Sequence, residues 1–363
     1  MVETKEKIIQ TPKEMFNELS QYVIGQEEAK KTLCVAMYNH YKRVIYNLMN
    51  ADGEDSDLKD ITIDKSNVLL IGNTGTGKTY MIKNIAKMLH IPCYVADATK
   101  LTQSGYVGDD VESILVGLLQ ECNYNVELAQ RGIIVLDEFD KLSRKSDNPS
   151  ITRDVGGEGV QQSLLKIVEG SKVGVPPMGG RKHPEQPLIY VDTTNMLFIG
   201  MGAFDGLQNI IEHRLNTKKI GFIQQTKEDE VSNDIYGYTT SDDLKKFGLI
   251  PELIGRFPIV TYTNDLSKDD LIKILNFSKN SVIKQYQKLM KFDGIQLSFT
   301  DDAISKIAEY TLSLKTGARG LRQVIEKLLN DIMFEEVDGT VKNIVLTDRD
   351  VDSAMSKKYK KVA

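Results

Sequence analysis

The chain has 363 residues, of which 41% are hydrophobic and 27% are charged, and its formal net charge is −5. A chain of this length exceeds what one hydrophobic core usually serves, so we expect a globular protein of two domains. The acidic balance argues against bulk nucleic-acid binding, no apolar run reaches the length of a membrane span, and the amino terminus lacks an apolar signal core.

The first predicted elements are helical. Residues 1–20 form a polar lead-in with a short helix from Pro12, and a long helix then runs to about Leu48. Residues 50–66 are acidic and rich in turn formers, which predicts an exposed insertion. The three cysteines are far apart and form no C-x-x-C pair, a usage typical of a reduced, zinc-free cytoplasmic protein.

A complete phosphate-binding loop follows the apolar run 67–71. The pattern G-x-x-x-x-G-K-[ST] is matched by Gly72, Asn73, Thr74, Gly75, Thr76, Gly77, Lys78 and Thr79, and Tyr80 continues into an amphipathic helix. The glycines let successive N–H groups converge on phosphate oxygens, and the helix N-terminus adds partial positive charge. Lys78 would reach the β- and γ-phosphates, and the Thr79 hydroxyl would ligate Mg²⁺. The chain is therefore predicted to bind a nucleoside triphosphate.

A second strand carries the carboxylates that hydrolysis needs. Residues 132–136 are continuously apolar and are followed by Asp137 and Glu138. A parallel strand buried on both faces exposes its charged residues at its carboxyl end, where ligands bind. Asp137 is placed to hold the Mg²⁺ shell, and Glu138 to orient or deprotonate the attacking water. The adjacent pair favours an ATPase of the AAA+ type over a Ras-like GTPase.

Strands alternate with helices through the first two thirds of the chain. The predicted strands are 67–72, 91–96, 132–137, 195–200 and 257–263. This alternation predicts an α/β fold, with a parallel sheet between layers of helices. Three polar or glycine- and proline-rich stretches are predicted to be loops, namely 143–159, 171–188 and 217–243.

The pattern turns helical from about Leu266. Helices are predicted over 267–291, 300–312 and 317–337, and a short strand over 342–346 precedes a charged tail. We therefore predict a lead-in over 1–20, a large ATPase domain over 21–263 and a small, mainly helical domain over 264–363.

Six further motifs stand out, and five of them have an ordinary explanation when they are read alone. Those explanations are a helix entry, a turn with a surface tyrosine, a solvated charge run, a loop folded back on its own domain, and surface ion pairs. The motifs are Val23-Ile24-Gly25-Gln26, Gly105-Tyr106-Val107-Gly108, the loop around Arg153, Arg181-Lys182-His183, Ile220-Gly221-Phe222, and the arginines Arg256 and Arg319. Together with the phosphate loop, they make the chain resemble the ClpX family of AAA+ unfoldases from about Pro12 to Glu336.

The resemblance implies roles in nucleotide binding and assembly. Val23 and Ile24 would pack against the adenine ring. Arg256 would act as an arginine finger on ATP bound by a neighbouring subunit, offsetting charge on the transferred phosphoryl group. Arg319 would be the second sensor, coupling nucleotide state to rotation between the domains. The implied cofactors are ATP and Mg²⁺.

The resemblance also implies roles in substrate and partner binding. Tyr106 and Val107 would line the axial pore and push on the polypeptide, and Arg153 would belong to a second pore loop. Arg181, Lys182 and His183 would ring the pore entrance, where positive charge could attract the carboxylate of a degradation tag. Ile220, Gly221 and Phe222 would dock onto a ClpP-type peptidase.

Three departures from the family pattern stand out. The family carries an amino-terminal zinc domain with four cysteine ligands, but here only about 20 residues precede the Val-Ile-Gly-Gln motif and the sequence holds no cysteine pair. Either this family member lacks the domain or the sequence is a piece of a longer protein, so no adaptor binding is assigned. Asn73 stands where the family usually has proline, and we expect little functional effect. Gly200-Met201-Gly202-Ala203-Phe204 supplies no polar first sensor, so none is assigned.

The leading prediction is an ATP-dependent unfoldase that forms a homo-hexamer and feeds tagged proteins to a ClpP-type peptidase, with no nucleic-acid or membrane partner. An HslU-like unfoldase shares the Gly-Tyr-Val-Gly loop but lacks the Ile-Gly-Phe loop. An AAA+ ATPase that remodels nucleic acid, and a nucleotide-gated scaffold that never turns over, are the alternatives from other functional classes.

Overall fold

The computed structural model describes residues 10–49, 61, 63–102, 109–143, 157–177, 187–218, 235–336 and 342–356. The chain divides into two compact units. The first comprises the described residues of Met1–Phe16, Glu27–Gly72 and Lys78–Thr263. The second comprises those of Asn17–Gln26, Asn73–Gly77 and Asn264–Ala363.

The helices and strands alternate in the first unit, and helices dominate the second. The helices are α1 (Pro12–Leu19), α2 (Glu27–Met49), α3 (Lys78–Met88), α4 (Ser113–Glu121), α5 (Val126–Ala129), α6 (Glu158–Glu169), α7 (Leu207–Lys218), α8 (Ser241–Phe247), α9 (Pro251–Gly255), α10 (Lys268–Phe277), α11 (Val282–Phe292), α12 (Asp301–Ser313), α13 (Arg319–Glu336) and α14 (Asp348–Ser356). The strands are β1 (Val68–Ile71), β2 (Cys93–Asp97), β3 (Leu101–Thr102), β4 (Asp109–Asp110), β5 (Ile133–Asp137), β6 (Lys172–Val175), β7 (Ile189–Asp192), β8 (Leu197–Gly202), β9 (Ile259–Tyr262), β10 (Gln296–Phe299) and β11 (Asn343–Leu346).

The first unit is built on a five-stranded sheet in the order β2-β5-β8-β1-β9. Every pairing in this sheet is parallel. All residues of β1 and β8 are buried, as are the first four of β5, because helices cover both faces of a parallel sheet. The α/β fold and the five strands predicted from the sequence are confirmed.

One of the predicted loops is partly wrong. Within 171–188, β6 forms an antiparallel pair with β7. The buried Thr193 hydroxyl fixes the start of this pair, since its Oγ1 donates to Ile167 O at 2.7 Å and accepts from the Ser171 N–H at 3.0 Å. The prolines and glycines that follow β6 give the whole stretch the composition of a loop, so β6 is not evident from the sequence.

The second unit departs from the sequence prediction in three ways. The single helix predicted over 267–291 is two helices, because Ser281 caps α11 by accepting the Lys284 N–H at 3.3 Å while Ser278 Oγ donates to Tyr22 O at 2.9 Å. In addition, β10 pairs in parallel with β11, and α14 forms within the predicted charged tail. Val351 of α14 lies fully buried in the core of this unit.

No helix in the described ranges is both long enough and apolar enough to cross a membrane.

Candidate nucleotide-binding site

The phosphate-binding loop leaves the sheet at the carboxyl end of β1. The Gly72 N–H donates to Gly202 O at 3.0 Å, so the loop starts while it is still tied to β8. Gly72, Gly75 and Gly77 have φ angles of +153°, +83° and +97°, which L side chains rarely adopt. A Cβ on Gly72 would also lie 1.9 Å from Thr263 Oγ1. Only glycine fits this exit from the strand.

The middle of the loop is packed within the second unit. Gly75 O accepts the Ala318 N–H at 3.0 Å, and a Cβ on Gly75 would lie 2.1 Å from Thr316 O. Asn73 Nδ2 donates to Asp265 Oδ1 at 2.8 Å, so the residue that departs from the family pattern has a partner of its own. Gly77 is different, because nothing lies within 4 Å of where its Cβ would be. That leaves open space beside the last glycine of the loop.

Lys78 and Thr79 begin α3. The Lys78 side chain is buried and its ammonium donates to Gly72 O, which places the charge inside the loop. Thr79 Oγ1 lies 3.8 Å from the Met201 sulfur of β8. The first turn of α3 thus brings together the cation, a hydroxyl and the N-terminus of a helix, a combination that suits phosphate and its metal ion.

Asp137 and Glu138 stand at the carboxyl end of β5. Asp137 is in register with Asp97 at the end of β2. The pKa of Asp97 is lowered, chiefly by the hydrogen bond from the Thr99 hydroxyl. Glu138 is exposed and adopts a left-handed conformation (φ +56°, ψ +34°), and its N–H donates to Asp137 Oδ1 at 2.9 Å. Since β8 alone separates β5 from β1, the carboxylates and the phosphate loop share one sheet edge about 10 Å apart.

Asp140 is a neighbour of this edge that the sequence analysis missed. Its side chain is buried and lies 3.0 Å from Lys141 Nζ. A Cβ on Gly202 would lie 2.1 Å from Asp140 Oδ1, so the glycine at the end of β8 makes room for this carboxylate. The sequence shows Asp140 only as one more charge after the Asp-Glu pair, and its burial depends on the packing of β8.

Arg256 lies away from this edge. It ends α9 and precedes β9, which puts it at the amino edge of the parallel sheet, whereas the phosphate loop leaves from the carboxyl edge. Its side chain is 53% exposed and pairs with Glu169, with Nε and Nη2 at 3.0 and 2.6 Å from Oε1. Asn67 Nδ2 donates to Arg256 O at 2.8 Å and fixes the backbone there.

Val23, Ile24 and Arg319 belong to the second unit. Val23 is 6% exposed, and Ile24 is partly buried. The next polar residue, Gln26, makes two hydrogen bonds to the backbone of Asn264. Its Nε2 donates to Asn264 O at 2.8 Å, and its Oε1 accepts the Asn264 N–H at 2.8 Å. Arg319 is exposed at the start of α13, directly after the residues that contact Gly75.

The remaining predicted site residues lie outside the described part of the chain. They are Tyr106, Val107, Arg153, Arg181, Lys182, His183, Ile220, Gly221 and Phe222.

Comparisons with known proteins agree with this architecture. A model of the AAA domain (Cdc48 subfamily) matches residues 63–260, and a model of the C-terminal D2-small domain of ClpB protein matches residues 266–344. The chain is 51% identical over 353 residues to the ATP-dependent Clp protease ATP-binding subunit ClpX of Treponema denticola, a match that covers 96% of this chain and 83% of that protein.

Two further relatives carry the same name. The protein from Bacteroides thetaiotaomicron is 52% identical over 330 residues, covering 91% of this chain and 78% of its own length. The protein from Porphyromonas gingivalis strain ATCC 33277 is 50% identical over 343 residues, covering 94% and 82% respectively.

Proposed function

The chain belongs to the ClpX family of AAA+ ATPases, and on that premise we propose that it is an ATP-driven protein unfoldase that works with a ClpP-type peptidase. One observation carries the proposal. The phosphate loop and the Asp137-Glu138 pair flank β8 at the carboxyl edge of a single parallel sheet. In such folds nucleotides bind at this edge.

The loop supplies the binding groups for ATP and Mg²⁺. Lys78, already held inside the loop by Gly72 O, would pair with phosphate oxygens. The Thr79 hydroxyl would occupy one coordination position of Mg²⁺, and Asp137 would hold the coordination shell of the ion. The positive φ angles of Gly72, Gly75 and Gly77 turn the loop backbone, and the open space beside Gly77 leaves room for a phosphate group. ATP supplies the phosphoryl group whose transfer to water releases free energy.

Glu138 would orient and deprotonate the attacking water. Its carboxylate is exposed at the same edge as the loop, while the two residues after it are buried and hold the turn. A carboxylate fixed by its backbone but open to solvent suits a general base that touches water rather than nucleotide.

Arg256 would act between subunits. Within one chain it stands at the sheet edge opposite to the phosphate loop, so it is placed to serve a nucleotide held by a neighbouring copy. The ion pair with Glu169 is solvent-exposed, and exposed pairs contribute only about 0–1 kcal/mol, so exchanging that partner for a phosphate costs little. This supports a ring of identical subunits, which we propose to be a hexamer as the family resemblance implies.

The second unit would sense the nucleotide. The residues that contact Gly75 of the phosphate loop, Thr316 to Ala318, come directly before α13. Arg319, the first residue of α13, therefore follows them in the chain. Val23, which is 6% exposed, and Ile24, which is partly buried, are the apolar residues of the same unit that would pack against the adenine ring. Family membership alone supports the other assignments. They are Tyr106, Val107 and Arg153 in the pore, Arg181, Lys182 and His183 at its entrance, and Ile220, Gly221 and Phe222 at the peptidase.

The same membership supports a cytoplasmic location, in keeping with three cysteines that are all free thiols.

The proposal is tested with a stable fluorescent protein that carries a C-terminal degradation tag. The chain, ATP, Mg²⁺ and a ClpP-type peptidase are mixed with it, and fluorescence is followed. We expect a loss of signal that requires ATP, the tag and the peptidase. A Phe222→Ala variant should keep its ATPase activity and lose the degradation.

A constant fluorescence signal despite measurable ATP hydrolysis would contradict the unfoldase assignment. Duplex DNA affinity with a steep salt dependence would point instead to a nucleic-acid remodeller.

A further inference from the structure

A second cavity lies at the amino edge of the sheet in the first unit. It has a volume of about 430 Å³ and is formed by α2, by the residues that precede β1, and by Leu197 and Ile259, the first residues of β8 and β9. The phosphate loop leaves from the other end of β1, and four strand residues separate the two places by about 13 Å. The cavity is therefore distinct from the nucleotide site.

Arg43 of α2 is the most buried cation of this cavity. It is 5% exposed, and its Nη2 donates to Asn195 O at 3.2 Å and lies 3.4 Å from His40 Nδ1. Its Nε is buried with no hydrogen-bond partner, and no carboxylate lies within ion-pair distance of the guanidinium among the residues that the structure describes. Buried guanidinium groups are normally paired with an anion.

His40 holds Arg43 in place without adding negative charge. Its Nε2 is 3.0 Å from Arg131 O, and because a carbonyl only accepts, Nε2 carries the proton. Nδ1 is then the acceptor that faces Arg43. Burial lowers the pKa of His40 to about 4, so the ring is neutral at physiological pH.

Lys65 is the second cation. Its Nζ donates to Thr193 O at 3.0 Å and lies 5.2 Å from the centre of the Phe198 ring. Burial, followed by the charge of Arg43, lowers its pKa to about 8, which leaves the amine mostly protonated at pH 7. No ion pair of Lys65 is present in the described part of the chain either.

The remaining charges do not balance these two. Asp64 is the one acidic residue in the described lining, and it is exposed, while Lys42 adds a third cation. The charges of Asp192 and Glu169 act to raise the pKa of Lys65, and the charge of Arg256 acts to lower it. The charge of Asp64 acts to raise the pKa of Arg43, but burial outweighs it and that pKa is lowered. The described lining thus carries three cations against one carboxylate, and neither Arg43 nor Lys65 forms an ion pair with a described residue.

We propose that this cavity binds a small oxyanion, a phosphate or carboxylate group on a metabolite-sized molecule, with Arg43 and Lys65 as its cationic ligands. The volume lies within the range of about 300–1,000 Å³ that small-molecule sites occupy. Because Arg43 Nη2 is already bonded to Asn195 O and faces His40, the guanidinium would donate to one oxygen of the anion, and the apolar Leu197 and Ile259 would contact the rest of the molecule. An anion between Arg43 and Lys65 would relieve their mutual repulsion.

The test is calorimetry of the whole 363-residue chain in chloride buffer at pH 7, with inorganic phosphate and succinate as separate probes. We expect saturable binding of at least one probe, weakened about ten-fold or more by Arg43→Gln, since a lost hydrogen bond to a charged group accounts for that factor. Ser66→Glu places a carboxylate at the exposed rim and should weaken binding as strongly. Binding of phosphate alone or of succinate alone identifies which oxyanion the site prefers.

The control is Lys166→Gln, which removes an exposed lysine of the same unit outside the cavity and should leave binding unchanged. Phosphate binding that Lys78→Ala abolishes and Arg43→Gln leaves intact would belong to the phosphate loop and would overturn the proposal. Absence of binding for both probes would overturn it as well. If Arg43→Gln fails to fold by circular dichroism, Ser66→Glu decides the outcome.

Discussion

Glu138 shows how the conformation of a single residue prepares the candidate site. It is not glycine, yet its φ is +56°, a conformation that costs about 1–3 kcal/mol when the surroundings impose it. The burial of the Phe139 ring immediately after it offsets part of that cost. The turn therefore sends two side chains into the core and leaves one carboxylate exposed beside the phosphate loop.

Replacing Glu138 by glutamine removes the base and preserves the shape of the side chain. We expect Glu138→Gln to bind ATP with unchanged affinity. It should hydrolyse ATP at least about 100-fold more slowly than wild type, since general-base contributions reach this size. Phosphate release and binding of a fluorescent ATP analogue measure the two effects. Glu121→Gln, at an exposed glutamate of α4, is the matched control and should behave as wild type. Normal turnover in Glu138→Gln would refute the assignment.

Alanine substitutions at Gly75 and Gly77 distinguish the cost of backbone strain from the cost of steric crowding. Both have positive φ angles, but only Gly75 faces a backbone oxygen 2.1 Å from its hypothetical Cβ. We expect Gly75→Ala to lower the thermal midpoint more than Gly77→Ala, which should carry only the strain of about 1–3 kcal/mol. Gly255→Ala, at a helical position with open space, should have almost no effect. Equal losses at positions 75 and 77 would contradict the crowding argument.

At the scale of elements, α7 and α8 are joined by one buried ion pair. Arg214 Nε and Nη2 donate to the Asp243 carboxylate at 2.9–3.1 Å, and the same carboxylate closes a capping box with Thr240. Burial acts to raise the pKa of Asp243, and the hydrogen bonds from Arg214 and Thr240 outweigh it, so the pKa lies below its usual value. One side chain thus fixes both the start of α8 and its packing on α7.

Asp243→Asn should lower the free energy of unfolding by about 3 kcal/mol at pH 7, since it leaves Arg214 without its anion. A folded-state pKa below the unfolded value of about 3.9 gives a contribution that is complete above that value and is lost as pH falls through the folded pKa. The gap between wild type and variant should therefore shrink below pH 4 in urea titrations.

Asp242→Asn changes the exposed neighbour on the same helix turn and should stay within about 0.5 kcal/mol of wild type. A gap between Asp243→Asn and wild type that is independent of pH would show that the carboxylate charge is not what stabilises α8.

At the scale of the whole molecule, the parallel sheet gives the first unit two chemically different edges. The carboxyl edge presents the phosphate loop and the Asp137-Glu138 pair, and the amino edge presents Arg256 and the basic cavity. A parallel sheet keeps its strand ends on opposite sides, so one chain cannot bring Arg256 to its own loop without breaking the fold. If Arg256 serves hydrolysis, as we propose, then turnover requires contact between copies.

Mixing two inactive variants tests this requirement. Arg256→Ala keeps its phosphate loop, and Lys78→Ala keeps its arginine, so each should hydrolyse ATP poorly alone. We expect activity to return when the two are mixed, because some sites then combine an intact loop with the Arg256 of a neighbour. Activity that stays at the sum of the separate variants would mean that Arg256 does not act across a subunit boundary.

Local patterns in the sequence were sufficient for part of the structure. The strands β1, β2, β5, β8 and β9 come from short apolar runs, and the phosphate loop comes from glycines at fixed spacing, so both are visible without any knowledge of distant residues. The break between α10 and α11 was not visible, because residues 267–291 keep a helical pattern while Ser278 bonds a residue 256 positions away.

The sequence by itself determined the family, the nucleotide loop and the carboxylates, since these depend on residue type and spacing along one segment. Only the tertiary structure decided that Gly75 must be glycine against Thr316, that Asp140 fills the space beside Gly202, and that Arg256 faces away from its own loop. It also joined Arg43 and Lys65, 22 positions apart, with Leu197 and Ile259 around one cavity. The physical reason is that close packing brings together segments whose local patterns carry no information about each other.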